Sequence, residues 1–109
     1  MYTVSDTAGQ EGLTVQVDLW DLLLDDANTA KMQAHGVSVR RAYEVLDGAP
    51  RILRNRATGG APFLVVGFDA SGGFVTMPID STDEYGVWRP RTAYPSKPSE
   101  IARYGRQRS

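Results

Sequence analysis

Apolar and polar residues alternate from Leu13 to Trp20, and this two-residue period predicts a strand over 13–20. The period then lengthens. Asp21 is placed to cap a helix running to Ala34, with Leu22, Leu23, Ala27, Ala30 and Ala34 as its apolar stripe, and Gly36 supplies the stop. Ser38 can cap a second, shorter helix. There Val37 and Ala42 form a staple, and Ala42, Val45 and Leu46 keep helical spacing until Gly48.

After Pro50 the short period returns. Residues 51–56 read as a strand, Thr58-Gly59-Gly60 as a turn, and 62–68 as a central, largely buried strand. Asp69-Ala70-Ser71-Gly72-Gly73 is a hairpin signal leading into a strand over 74–79. The run 86–94 is a last strand, bulged or at a sheet edge where Pro90 falls. Ser96 or Ser99 then caps a short helix through Tyr104. The expected order is β-α-α-β-β-β-β-α, an α+β fold whose sheet is mainly antiparallel because turns of hairpin length join the later strands. Residues 13–104 form one domain, with 1–12 and 105–109 as flexible ends.

Composition narrows the chemistry. A chain of 109 residues supports one domain with a modest core, and the absence of cysteine removes disulfides, thiolate metal sites and cysteine nucleophiles. No apolar run has the length of a membrane span or a signal segment, so the sequence points to a cytoplasmic protein. The formal net charge of −1 conceals a division: residues 1–50 sum to −5 and residues 51–109 to +4. From Arg89 to Ser109 there are six cations against the single acid Glu100, interleaved with Tyr94 and Tyr104 and preceded by Trp88. Guanidinium groups fork onto phosphates and aromatic faces accept unstacked bases, so this end suits RNA or single-stranded nucleic acid; the bland alternative is a solvated basic tail.

The order of motifs resembles the BrnT-type toxins of bacterial type II toxin–antitoxin systems, relatives of the RelE/ParE fold. The resemblance rests on Asp25-Asp26-Ala27-Asn28 followed by Met32-Gln33-Ala34-His35-Gly36-Val37-Ser38. It rests further on Trp88-Arg89-Pro90-Arg91-Thr92-Ala93 and on Glu100-Ile101-Ala102-Arg103-Tyr104. It spans about residues 18–104 and departs from the family pattern at Ala34 and Tyr94. It implies a RelE-like domain that cleaves RNA, blocks translation and is neutralised by a co-encoded antitoxin, through which it can oligomerise. An inactive binding module of the same fold and a ParE-like toxin acting on a DNA topology enzyme are the alternatives.

The candidate catalytic residues are Arg89, Arg91, Tyr94, His35 and Glu100; Arg54, Arg56, Lys97, Arg103 and Tyr104 are candidates for RNA binding. His35 can serve as a general base for a ribose 2′-hydroxyl, or simply complement the end of its helix. Arg89 and Arg91 can clamp a phosphate if strand alternation puts both on one face, or can be an edge-strand solubility pair. Tyr94 and Tyr104 can stack a base or donate a proton, or be half-buried core; Trp88 reads as core. Glu100 can be an acid or base, or the first-turn acid of the last helix. One histidine and no clustered carboxylate spacing argue against a metal, and no motif calls for a cofactor. Cleavage without a metal is feasible because the 2′-hydroxyl of RNA is the nucleophile.

Overall fold

The computed structural model describes residues 2–5 and 14–106. Its elements are β1 (Tyr2–Ser5), β2 (Thr14–Val17), β3 (Asp21–Leu22), α1 (Asp26–Ala34), α2 (Val39–Asp47), β4 (Arg51–Arg54), β5 (Phe63–Phe68), β6 (Phe74–Ser81), β7 (Val87–Pro90), β8 (Tyr94–Pro95) and α3 (Pro98–Arg106). β1 and β2 form an antiparallel pair, and the main sheet runs β3-β7-β6-β5-β4 with β8 also on β6. Every pairing is antiparallel except β3 with β7. The fold is α+β with a mostly antiparallel sheet.

Strand alternation divides the main sheet into two buried faces. Val75, Met77 and Ile79 of β6, with Val65 of β5, share a core with Met32 of α1 and Ala42 and Val45 of α2. Leu53, Leu64, Val66 and Phe74 point the other way, and Tyr104 of α3 packs against them. Each face needs its own cover, which is why β5 reads as an almost continuous apolar run. Gly67 fits this scheme: a Cβ there would come within 3.1 Å of Val45 and of the Pro50 backbone, so its lack of a side chain lets α2 approach β5 closely.

The N-terminal region departs from its sequence pattern. Residues 1–12 read as a flexible end, yet Tyr2–Ser5 form β1, paired register for register with β2, and Val4 is fully buried. The Thr and Ser interleaved with Tyr2 and Val4 supply the alternation, but four residues are too few to stand out. Residues 6–13 and 107–109 lie outside the described residues. The first predicted strand is shorter, β2 ending at Val17, and β3 is an addition to the expected order.

The first helix is capped by Asp25, not by Asp21. The Asp25 side chain accepts the Asn28 backbone N–H at 2.8 Å, and the Asn28 side chain accepts the Asp25 N–H at 2.9 Å. Asp21 instead opens the short edge strand, where its Oδ1 accepts the Leu22 N–H at 2.8 Å. In this parallel ladder the Asp21 and Leu23 N–H groups point inward, to Gly86 and Trp88 carbonyls, so the Leu22 N–H points away from the sheet. The expected alanine stripe of α1 is exposed; its buried residues are Asn28 and Met32. Asn28 is buried because its amide donates to the carbonyls of Leu23 at 3.0 Å and Pro90 at 2.9 Å, fastening α1 to β7.

α2 follows expectation, with Ser38 accepting the Arg41 N–H and Gly48 at the C-cap. The strand expected over 86–94 is broken into β7 and β8. Arg91 lies between them, its N–H donated to the Pro78 carbonyl at 2.8 Å, while Pro90, without an N–H, closes β7. Among the described residues, no helix is long and apolar enough to cross a membrane.

Candidate functional site

The break between β7 and β8 turns the chain so that Thr92 faces the end of α1. A hydrogen bond of 3.1 Å joins the Thr92 hydroxyl to Nδ1 of His35, the C-cap residue of α1, which Gly36 follows at φ +81°. The His35 ring is exposed and meets Tyr94 edge to face, with centroids 6.2 Å apart. Tyr94 stands opposite Thr76 in the β6–β8 ladder, so the two side chains share one face. Both reach Glu100, at the third position of α3.

Glu100 is 7 % exposed and accepts three hydrogen bonds: from the Tyr94 hydroxyl at 2.7 Å, the Thr76 hydroxyl at 3.0 Å, and the Lys97 backbone N–H at 2.8 Å. Ser96 extends the chain, its hydroxyl 2.8 Å from that of Thr76. As a third-position acid Glu100 reaches back to the start of its helix, which satisfies an otherwise orphaned donor. Burial, aided by the hydrogen bond to Glu100 and the charge of that carboxylate, raises the Tyr94 phenol well above its ordinary pKa. Tyr94 is therefore held as a neutral donor aimed inward. The Lys97 ammonium lies 5.8 Å from the Tyr94 ring centroid. His35, Tyr94, Lys97 and Glu100 are thus brought together, with Thr92, Thr76 and Ser96 linking them. Sequence reasoning met Ser96 only as a possible helix cap and Thr92 only within a motif, and passed over Thr76, since nothing in an isolated Ser or Thr signals a partner across the sheet.

Arg89 and Arg91 go elsewhere. Arg89 donates from Nε at 3.1 Å and Nη2 at 2.8 Å to Asp25, the cap of α1. Arg91 donates from Nε at 2.6 Å and Nη2 at 3.1 Å to Asp80. The Asn28 backbone N–H and, next, Arg89 hold the Asp25 carboxyl below its ordinary value, while Asp80 raises Arg91 further. Arg91 falls outside β7, so strand alternation does not relate it to Arg89. Each guanidinium commits one edge to a carboxylate and keeps Nη1 on the other.

The remaining candidates surround α3 and β4. Arg103 donates to the Arg54 carbonyl at 2.8 Å, and the Arg54 guanidinium sits 5.8 Å from the Phe63 ring centroid. Tyr104 donates its hydroxyl to the Ala49 carbonyl at 2.8 Å. Its ring packs edge to face on Phe74 and carries the Arg51 guanidinium 4.5 Å above it. These residues fasten the last helix to the sheet. Arg56 is exposed just beyond β4. Among the described residues, no three His, Asp or Glu side chains stand together as a metal site would require. Comparisons with models of protein families, with curated proteins and with solved structures find no match to this chain.

Proposed function

We propose that this chain is the toxin of a bacterial type II toxin–antitoxin system, a metal-independent, RelE-like endoribonuclease of BrnT type that works in the cytoplasm and is neutralised by a co-encoded antitoxin. The observation that carries the reading is the exposed imidazole of His35, fixed at Nδ1 by Thr92 and flanked by Tyr94, which stands on the buried carboxylate of Glu100. Fixing Nδ1 leaves Nε2 for substrate. There it takes the proton of a ribose 2′-hydroxyl as the 2′-oxygen attacks phosphorus. The bond from phosphorus to the 5′-oxygen breaks, and that oxygen takes a proton from water. Lys97, whose ammonium lies beside the Tyr94 ring, supplies positive charge to the phosphorane. Tyr94 directs its proton to Glu100, so both act as positioning residues that hold the imidazole face.

Incubation of the full chain with RNA in excess EDTA tests this. The expected products carry 2′,3′-cyclic phosphate and 5′-hydroxyl ends; products with 3′-hydroxyl ends, or activity lost on chelation, overturn the mechanism. The engagement of both Arg89 and Arg91 by carboxylates favours a second reading, a binding module of the same fold without catalysis. Expression in a bacterium with and without the neighbouring open reading frame separates the two. Growth arrest with fragmented RNA supports the nuclease, and no arrest supports the module.

A further inference from the structure

Trp20 and Tyr85 are 58 % and 73 % exposed, and they are held in place rather than left loose. Their rings meet edge to face with centroids 5.3 Å apart. The backbone N–H groups of Trp20 and Asp21 both donate to the Gly86 carbonyl, at 2.9 and 3.3 Å. Gly86 has φ +79°, and a Cβ there would lie 2.1 Å from the Trp20 ring, so the indole rests directly on backbone. The Tyr85 hydroxyl donates to the Asp18 carboxylate, and the Trp88 indole N–H donates to the Asp18 carbonyl at 2.8 Å. Residues 18–21 are thereby tied to the turn between β6 and β7, with two aromatic side chains presented to solvent.

Large aromatic groups that are already ordered lose little conformational freedom on binding, which is the property of interface anchors. Their surroundings select the partner. Asp18, Asp21, Asp83 and Glu84 stand along the same two segments, and among the described residues none is in an ion pair. A hollow of about 400 Å³ lies against Asp83 and Glu84, with Leu23 and Val87 as its apolar residues and Arg89 as its one cation. Arg89 is already neutralised by Asp25. An aromatic pair among uncompensated carboxylates attracts a cation through both the ring faces and the field, and the hollow accepts an aliphatic side chain.

We propose that the Trp20–Tyr85 surface docks a segment of a partner protein that carries arginine or lysine beside aliphatic residues. The cationic head lies against the two rings and the carboxylates, and a neighbouring aliphatic side chain enters the hollow beside Leu23. The surface shares no residue with the His35, Tyr94 and Glu100 cluster, so it stands whether or not the chain cleaves RNA.

The test uses the full chain and a fluorescein-labelled, end-blocked peptide of alternating arginine and leucine, with the glutamate-for-arginine peptide as control. Anisotropy is expected to show saturable binding of the arginine peptide only, weakening as salt rises. Trp20→Ala and Tyr85→Ala should each weaken it about tenfold or more, the scale of an interface anchor. The double variant Asp83→Asn, Glu84→Gln, which leaves the aromatic pair and its backbone ties intact, should weaken it and flatten the salt response. Circular dichroism and melting curves identify any variant that fails to fold, and the charge variant then carries the test. The proposal is overturned by no binding up to about 1 mM, by equal binding of the glutamate peptide, or by binding that survives both the aromatic and the charge variants. Sedimentation showing that the free chain self-associates and that Trp20→Ala restores the monomer would assign the surface to a second copy and also overturn it.

Discussion

Asp69 and Glu100 are both buried carboxylates with several donors, but only one of them faces a cation. Asp69, in the turn between β5 and β6, accepts Arg41 Nε at 2.7 Å, the backbone N–H groups of Ser71 and Gly73 at 2.9 Å, and the Ser71 hydroxyl at 2.8 Å. Arg41 donates also to the Gly36 carbonyl at 2.8 Å, so this carboxylate locks α2 and the loop before it to the hairpin. Glu100 is held by two hydroxyls and one backbone N–H, and among the described residues no cation pairs with it. A neutralised carboxylate can be purely architectural. One without a cation partner, buried beneath a phenol whose ring meets an exposed imidazole, shapes the field at the surface.

The strongest way to break this contrast is to separate activity from stability. His35→Ala should lower RNA cleavage about 10²–10⁴-fold, the usual contribution of a positioned base, with a melting temperature close to wild type. Asp69→Ala should do the reverse. It strands the Arg41, Ser71 and Gly73 donors, so melting should fall by about 10 °C while the folded fraction still cleaves. If both variants lose activity in proportion to stability, the two carboxylates do not differ in kind.

Tyr94→Phe sharpens the comparison from the other side. It removes a donor from buried Glu100, a loss worth about 1–3 kcal/mol in denaturant unfolding, and should reduce cleavage less than His35→Ala does. The pH responses of the two regions are opposite in sign. The Ser71 hydroxyl, the Gly73 N–H and Arg41 hold the Asp69 carboxyl below its ordinary value, so its contribution is full above pH of about 4 and fades as pH falls. Tyr94 is raised, so its contribution is full below pH of about 10 and fades as pH rises through that value. Melting curves should show Asp69→Asn less sensitive to acid than wild type, and Tyr94→Phe less sensitive to alkali. Arg89→Ala is the smallest perturbation, because its ion pair with Asp25 is at the surface; melting should stay within about 3 °C of wild type. A large loss of cleavage in that variant would return Arg89 to the reaction centre.

Much of the scaffold is legible in the chain itself. Ser38 and Gly48 bracket α2, Gly36 closes α1, and Asp69 to Gly73 form a hairpin, because each signal acts within a few residues. Long-range pairing defeats such reading. Asn28 is polar, so no periodicity marks it as buried, and one partner that justifies its burial, the Pro90 carbonyl, lies 62 residues away. The candidate site is legible to the same extent. His35, Tyr94, Lys97 and Glu100 stand out by residue type, and the fold gathers them. Whether Arg89 and Arg91 are open cations depends on Asp25 and Asp80, whose approach is a property of the folded sheet.

The bond from the Leu22 N–H to the side chain of Asp21 has a consequence for life at high concentration. β3 is one rim of the sheet, and its outward-pointing amide would otherwise be a template on which a strand from another molecule could grow. Asp21 occupies that donor with its own carboxylate and adds a negative charge at the spot. Polymerisation of folded molecules edge to edge would have to displace the carboxylate before gaining its first hydrogen bond. Trp20 and Leu23, exposed on either side of that rim, can therefore stay on view there without an open amide between them on which a fibre could start.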